Sequence, residues 1–433
     1  MAGERRMVPL GKIAEIFDGP HATPSKTGDG PVFLGISNLS QGRIDLGSTE
    51  HLSESDYMRW TRRVEPRPGD VVFSYETRLG EAALIPSDLR CCLGRRMGLL
   101  RPYKDEVDNR FLLYAYLGPQ FQEMLRARTI HGSTVDRIPL IEMAGFPIEL
   151  PASIDEQRAI AHILGTLDDK IELNRRVNET LEATARALFK SWFVDFDPVR
   201  AKTEGCNTGL PKHIADLFPD HFEESVLGEI PEGWHLGALS DLSALNPEVW
   251  TKQTRPAKLA YVDLSNTKWG RIEAVTSYRS VDAPSRAQRV LRPGDTIVGT
   301  VRPGNGSYAF ICESGLTGST GFAALRPQRT EYAELVYLAA TAADNIHALA
   351  NLADGAAYPA VRPDVVAATP IVRANERVFR QFSRAAGPLL AKIVCDERES
   401  RTLAALRDAL LPELTSGQLR VKDGEKFLKR APV

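Results

Sequence analysis

The sequence predicts an α+β protein in which two duplicated mixed α/β domains are separated by a long antiparallel two-helix coiled coil. Three observations lead there. The first is a pair of matching hydrophobic ladders, built from alternating steps of four and three residues. One passes through Ile160, Leu164, Leu167, Ile171, Asn174, Asn178, Leu181, Ala185, Leu188 and Trp192. The other passes through Phe382, Ala386, Leu389, Ile393, Asp396, Ser400, Leu403, Arg407, Leu410 and Leu414. A spacing of about 3.5 residues sustained this long belongs to helices that pack along a seam. Both ladders turn polar at the same two rungs. Laid antiparallel, Asn174 faces Ser400 and Asn178 faces Asp396, and a buried polar rung fixes register at some cost in stability.

The second observation is an internal repeat with an offset of about 225 residues. Arg67-Pro68-Gly69-Asp70-Val71-Val72 returns as Arg292-Pro293-Gly294-Asp295-Thr296-Ile297. Ser37-Asn38 with Gly42-Arg43-Ile44 returns as Ser265-Asn266 with Gly270-Arg271-Ile272, and Gly132 with Pro147-Ile148 returns as Gly355 with Pro370-Ile371. The offset drifts by a few residues between blocks, as loop insertions in a duplicated domain produce. The third observation is the texture of each copy. Short apolar runs at 32–36, 71–74, 82–85 and 99–101, bounded by Gly and Pro, read as strands. Arg-Pro-Gly-Asp before such a run is a turn, because Pro presets φ and Gly permits φ > 0.

In chain order, residues 1–150 form the first domain, 151–198 a central helix, 199–232 a linker, 233–373 the second domain, 374–417 a C-terminal helix and 418–433 a tail. Residues 109–126 read as a helix broken near Gly118-Pro119, with 331–352 as its counterpart. The central helix starts after Ser153, with Glu156 as capping-box partner. It ends near Asp197-Pro198, since Pro disfavours helix in its predecessor. The linker is rich in Pro, Gly and charge, with one short helix around Ile214 to Leu217.

Composition narrows the function. The 433 residues are 43% hydrophobic and 25% charged, with a formal net charge of −2, which is low for an isolated nucleic-acid binder. Positive charge is therefore concentrated on one face, or a partner supplies it. No window reaches the roughly 20 apolar residues of a membrane span, and the N-terminus carries no signal-peptide core. The five cysteines, Cys91, Cys92, Cys206, Cys312 and Cys395, show no Cys-x-x-Cys spacing, which points to reduced thiols in a cytoplasm and no structural zinc. No Gly-rich loop ends in Lys-Ser or Lys-Thr, and no dinucleotide fingerprint or nuclease carboxylate motif is present. Asn246-Pro247-Glu248-Val249 and Asp197-Pro198-Val199-Arg200 fall short of an amino-methyltransferase motif. His21 and His131 fall in loops. Catalysis by this chain alone is not expected.

The run from Ile154-Asp155-Glu156-Gln157-Arg158 through Leu167-Asp168-Asp169-Lys170-Ile171 to Asn174 strongly resembles the central region of type I restriction-modification specificity subunits. So does Ala187-Leu188-Phe189-Lys190-Ser191-Trp192-Phe193 through Asp197-Pro198 to Lys202. Leu227-Gly228-Glu229-Ile230-Pro231-Glu232-Gly233-Trp234 resembles the start of that family's second recognition domain. Leu411-Pro412, Leu414, Ser416-Gly417 and Leu419 resemble the tail of its second helix. The likeness departs at Arg373-Ala374-Asn375-Glu376-Arg377, which lacks the Glu-Gln opening of the first helix. The resemblance implies two target-recognition domains, each reading half of a split double-stranded DNA target. It implies a coiled coil that spaces them and docks two methyltransferase (M) subunits, with motor-nuclease (R) subunits joining for restriction. S-adenosylmethionine, ATP and Mg²⁺ would belong to those partners, with no cofactor in this chain.

Candidate DNA contacts are polar or basic residues in Gly-rich loops between strands. In the first domain these are Lys26, Tyr75, Thr77, Arg78, Arg95, Arg96, His131, Ser133 and Thr134. In the second they are Lys252, Thr300, Arg302, Asn305, Ser307, Ser319, Thr320 and Tyr358. Arg pairs bidentately with guanine and Asn with adenine in the major groove, and Arg302 and Asn305 are the sharpest choices because their strand entry aligns with the one preceding Arg78. Two other classes stay compatible with the residues: a scaffold whose coiled coil holds only protein partners, and a nuclease with a cryptic site.

Overall fold

The computed structural model describes residues 4–40, 42–47, 49–132, 135–226, 228–251, 253–355 and 357–428. The chain divides into two compact units, Met1–Asn174 with Arg398–Val433, and Arg175–Glu397. Helix and strand are mixed in each.

In the first unit, a four-stranded antiparallel sheet runs in the order Ala14–Asp18, Met97–Pro102, Val71–Ser74, Ala82–Leu84. Beside it, Thr27–Leu34 pairs parallel with Cys91–Leu93 and antiparallel with Glu50–His51. Helix α1 (Glu54–Trp60) packs near the latter sheet, and α2 (Asn109–Leu117) and α3 (Pro119–Ala127) follow the last strand. The break between α2 and α3 falls at Gly118-Pro119, where Pro takes the first helical position. Arg5–Pro9 pairs antiparallel with Pro147–Pro151, so the two ends of this region lie side by side.

The second unit repeats the plan. Its sheet order is Ser243–Leu245, Phe322–Pro327, Thr296–Gly299, Tyr308–Phe310. Lys258–Val262 again pairs parallel with Leu316–Ser319, and His235–Ala238 closes on Pro370–Arg373. The repeated Arg-Pro-Gly-Asp turn explains part of this sameness. Asp70 accepts from its own Arg67 amide at 2.8 Å and from Arg101 Nη2 at 2.7 Å. Asp295 accepts from the Arg292 amide at 2.9 Å and from Arg326 Nη2 at 2.8 Å. Gly69 and Gly294 both sit at positive φ, 86° and 91°. The motif is thus a buried carboxylate that ties a turn to the neighbouring strand.

Residues 331–352, the counterpart of the broken helix at 109–126, likewise form two helices: α7 (Ala333–Ala340) and α8 (Ala343–Asn351). The segment 199–232 holds more structure than a linker. It carries most of α5 (Asp197–Thr203), then α6 (Lys212–Ala215) and a hairpin of Phe222–Ser225 with Gly228–Pro231. Val199, Phe218 and Ile230 are buried there, and the Phe218 ring lies edge-on to Trp192 at 5.0 Å. A short helix α9 (Pro363–Ala367) precedes the closing strand.

Two 40-residue helices dominate the molecule: α4 (Ile154–Phe193) and α10 (Glu376–Thr415), with α11 (Val421–Leu428) after them. The Ser153 hydroxyl accepts from the Glu156 amide at 3.5 Å. Gln157 is fully buried and links Pro151 O to the Asp108 amide, each at 3.0 Å. In the first unit the two helices meet antiparallel through aliphatic side chains: Ile160, Leu164, Leu167 and Ile171 share a core with Leu403, Leu410 and Leu414. Asn174 Nδ2 donates to Ser400 Oγ at 3.2 Å, and Arg407, a charged rung, donates to Asp168 at 2.7 Å. In the second unit the contact is aromatic. The Phe382 ring lies 5.9 Å from Trp192 and 5.0 Å from Phe193. Leu181, Leu188, Leu389 and Ile393 are half-buried, Asn178 and Asp396 are buried, and Asn178 Nδ2 donates to Ile393 O at 3.3 Å.

Candidate nucleic-acid interface

Three loops converge in each unit, held by the same backbone bonds. In the first, the Tyr75 amide donates to Arg96 O at 3.2 Å and Tyr75 O accepts from the Ile138 amide at 2.9 Å. In the second, the Thr300 amide donates to Gly321 O at 2.8 Å and Thr300 O accepts from the Val361 amide at 2.9 Å. Two residues further on, Thr77 and Arg302 occupy the left-handed region, with φ of 67° and 48°. Their amides reach Asp136 O and Pro359 O at 3.5 and 2.7 Å. A β-branched or bulky residue rarely adopts that conformation, and such strain concentrates where a loop must present side chains in one direction.

The side chains differ between the units. Arg96, itself at φ 72°, pairs with Glu76 through Nε at 2.9 Å and donates to the Thr77 hydroxyl at 3.4 Å. Arg78 lies 3.4 Å from Glu81 and donates to Ser37 O. His131 Nδ1 is 3.2 Å from Asp136, and Arg95 is exposed with no ion pair among the described residues. Tyr75 is buried, its hydroxyl donates to Asp18 at 2.9 Å, and burial pushes its pKa up. Lys26 pairs with Glu50 at a separate sheet edge. Ser133, Thr134 and Lys252 lie outside the described residues.

In the second unit, Arg302 donates to Ala357 O at 2.8 Å and its guanidinium sits 5.0 Å from the centre of the Tyr358 ring. Tyr358 is 72% exposed, and Asn305 is exposed in the Pro303–Asn305 turn. Thr300, Ser307 and Ser319 are buried. Their hydroxyls bond Gly321 O, Leu264 O and the Gly321 amide. Thr320 is half-buried and its amide donates to Arg286 O. Sequence reasoning missed Trp269, which is 56% exposed at φ 48° and packs its ring against Gly306, next to Asn305. Only an isolated Trp-Gly pair marks it in the sequence.

Nothing in the described residues groups three or more His, Cys, Asp or Glu side chains as a metal site. The buried Cys91 and Cys92 thiols, and the partly buried Cys312 thiol, are pushed up to about 12 by burial, so they are not thiolate nucleophiles near neutral pH. No described helix is long and apolar enough to cross a membrane.

Residues 62–183, which contain the first unit's three loops and most of α4, match the family described as the type I restriction modification DNA specificity domain. The HindI specificity subunit of a type I restriction enzyme from Haemophilus influenzae is 24% identical over 404 residues, covering 82% of this chain and 87% of that protein. The MjaIX specificity subunit from Methanocaldococcus jannaschii is 23% identical over 96% of this chain and 90% of its own length. Over most of its length the chain is similar to type I restriction-modification specificity subunits. The specificity-subunit fold extends over almost its whole length. The crystal structure of the S subunit of the M. genitalium type I system superposes with a TM-score of 0.56, at 16% identity, over 95% of this chain and 96% of that one.

Proposed function

We propose that this chain is the non-catalytic DNA-recognition subunit of a type I restriction-modification complex. Residues 1–150 and 233–373 each act as a target-recognition domain for one half of a bipartite site. The helices in 151–198 and 374–417 form the antiparallel spacer and the platform for two methyltransferase subunits. Segment 199–232 joins helix to second domain, and 418–433 is the tail. Motor-nuclease subunits join the same cytoplasmic complex, and S-adenosylmethionine, ATP and Mg²⁺ reside on the partners.

One observation carries this reading: the two units repeat the same strand order and the same three-loop junction, yet present different side chains there. A duplicated frame with dissimilar loops suits two readers of dissimilar sequences. The exposed members, Arg95, Arg96, Arg302, Asn305 and Tyr358, are the proposed reading side chains, with His131, Arg78 and Thr77 flanking them. Tyr75, Thr300, Ser307 and Ser319 hold the loops in place. From Ile160 to Trp192 an α-helix spans roughly 50 Å at about 1.5 Å per residue. That matches on the order of 15 base pairs at about 3.4 Å each.

Methylome sequencing of cells carrying the chain and its methyltransferase is the direct test. A bipartite methylated motif with an unread gap is expected. One heptad inserted at matching points of both helices lengthens the spacer by about 10 Å and widens the gap by about three base pairs. A gap that stays the same removes the spacer role. Absence of any duplex binding, with and without the methyltransferase, overturns the DNA reading in favour of a protein scaffold.

A further inference from the structure

We infer that Arg59, Arg62 and Arg63 form a phosphate-gripping site in the first unit, which rests on the DNA-recognition reading above. Helix α1 ends at Trp60 with Thr61 as its C-cap, and Arg62 and Arg63 follow directly. Together with Arg59 and Trp60 they line a concave pocket of about 220 Å³, floored by Val64 and Leu93. All three arginines are exposed, Arg63 to 64%. The Arg59 guanidinium lies 5.1 Å from the centre of the Trp60 ring, which holds it at the rim.

Among the described residues that line this pocket, Asp18 is the one carboxylate, and it is already occupied. Asp18 accepts from the Tyr75 hydroxyl at 2.9 Å and contacts His21 Nε2 at 2.8 Å, leaving Arg63 at 3.8 Å. Arg59 and Arg62 have no ion pair among the described residues. Elsewhere in the unit, arginines meet carboxylates closely: Arg90 with Glu54 at 2.6 Å, Arg101 with Asp70 at 2.7 Å, Arg110 with Asp169 at 2.6 Å. A local excess of guanidinium in a chain of net charge −2 selects an anionic partner, and its forked donors match phosphate oxygens. The shared Asp18 places the site one side chain away from Tyr75, at the root of the three-loop junction. The second unit differs here. Strand Ala287–Val290 pairs with Leu316–Ser319, and the adjoining Arg286 is held by Asp263 at 2.7 Å and by the Tyr261 hydroxyl.

The site therefore supplies backbone affinity without sequence preference, on one unit alone. The test uses the full chain bound to its methyltransferase partner, titrated against a duplex carrying the host's methylated motif and against a scrambled duplex, at several salt concentrations. The variant with Arg59→Gln, Arg62→Gln and Arg63→Gln should lower the salt slope by about two to three, at about 0.9 per phosphate contact. Both duplexes should weaken by the same factor, so their affinity ratio is preserved. Should the triple variant fail to fold, Arg62→Gln alone is expected to lower the slope by about one. An unchanged slope with normal binding overturns the inference and leaves the DNA reading intact. Weakening confined to the cognate duplex also overturns it, because it would mean base contacts. Loss of all duplex binding by the unmutated complex overturns both.

Discussion

The two units share a frame and differ in what fills it. Their sheets run in the same order, and each hangs on a buried aspartate, Asp70 or Asp295, clasped by an arginine one strand away. The first unit's loops are knitted by charge, with Glu76 on Arg96 and Asp136 by His131. The corresponding loop of the second uses a carbonyl and an aromatic ring to hold Arg302. Their shares of the helix pair differ as well, aliphatic in the first unit and aromatic in the second. The frame is set by turns and buried apolar strands, which do not depend on loop chemistry, so the loops are free to diverge.

The largest test of this contrast is Phe382→Ala. The ring is fully buried against Trp192 and Phe193, and its loss should destabilise the second unit by about 3–5 kcal/mol. Amide hydrogen exchange should accelerate in 378–390 while 160–167 keeps its protection. Equal acceleration in both stretches would erase the distinction between the two cores.

A middle-sized effect is expected at the loops. Arg302→Ala should weaken binding of the cognate duplex by about 1–3 kcal/mol and relax preference in one half-site only. Arg95→Ala should act on the other half. Titrations with duplexes altered in one half at a time would separate the two. Cognate affinity unchanged by Arg302→Ala removes that residue from the reading surface.

The smallest effect concerns a corner where the frames diverge. Glu248 accepts from Arg292 at 2.8 and 2.7 Å and from Arg326, and these bonds hold its carboxyl at about 2, below the usual 4.5. The guanidinium of Arg67, the first unit's counterpart of Arg292, has no ion pair among the described residues. A depressed folded-state pKa contributes stability above pH 4.5 that fades as pH falls toward 2. The side chain is 36% exposed, so solvent screening limits the contribution to about 1 kcal/mol or less. Glu248→Gln should flatten that part of the acid-unfolding profile, followed by intrinsic fluorescence. An unaltered profile would show the corner to be energetically silent.

The mixed fold and the long helices were legible because they rest on periodicity. The ladder from Ile160 to Trp192 and the short apolar runs repeat on scales that a sequence displays directly. The segment 199–232 was less legible. Its Pro, Gly and charge content masks Val199 and Phe218, which are buried in one cluster with Trp192 and Trp234 from other elements. The three-loop junction was hidden for a different reason. It depends on left-handed backbone at Thr77 and Arg302, and neither residue type announces that conformation. Hydroxyl and phenol groups were read by polarity alone, which cannot separate Ser319, sealed inside a sheet, from Asn305, open to solvent. The arginine run at 59–63 was visible as charge, but its shortage of carboxylates is a property of three dimensions.

Each head begins and finishes on adjacent antiparallel strands, Arg5–Pro9 beside Pro147–Pro151 and His235–Ala238 beside Pro370–Arg373. Such a head is attached like a cartridge, through two neighbouring chain ends. On the proposed reading of DNA by each domain, genetic exchange that replaces everything between those strands would deliver a new preference for sequence while leaving the socket as before.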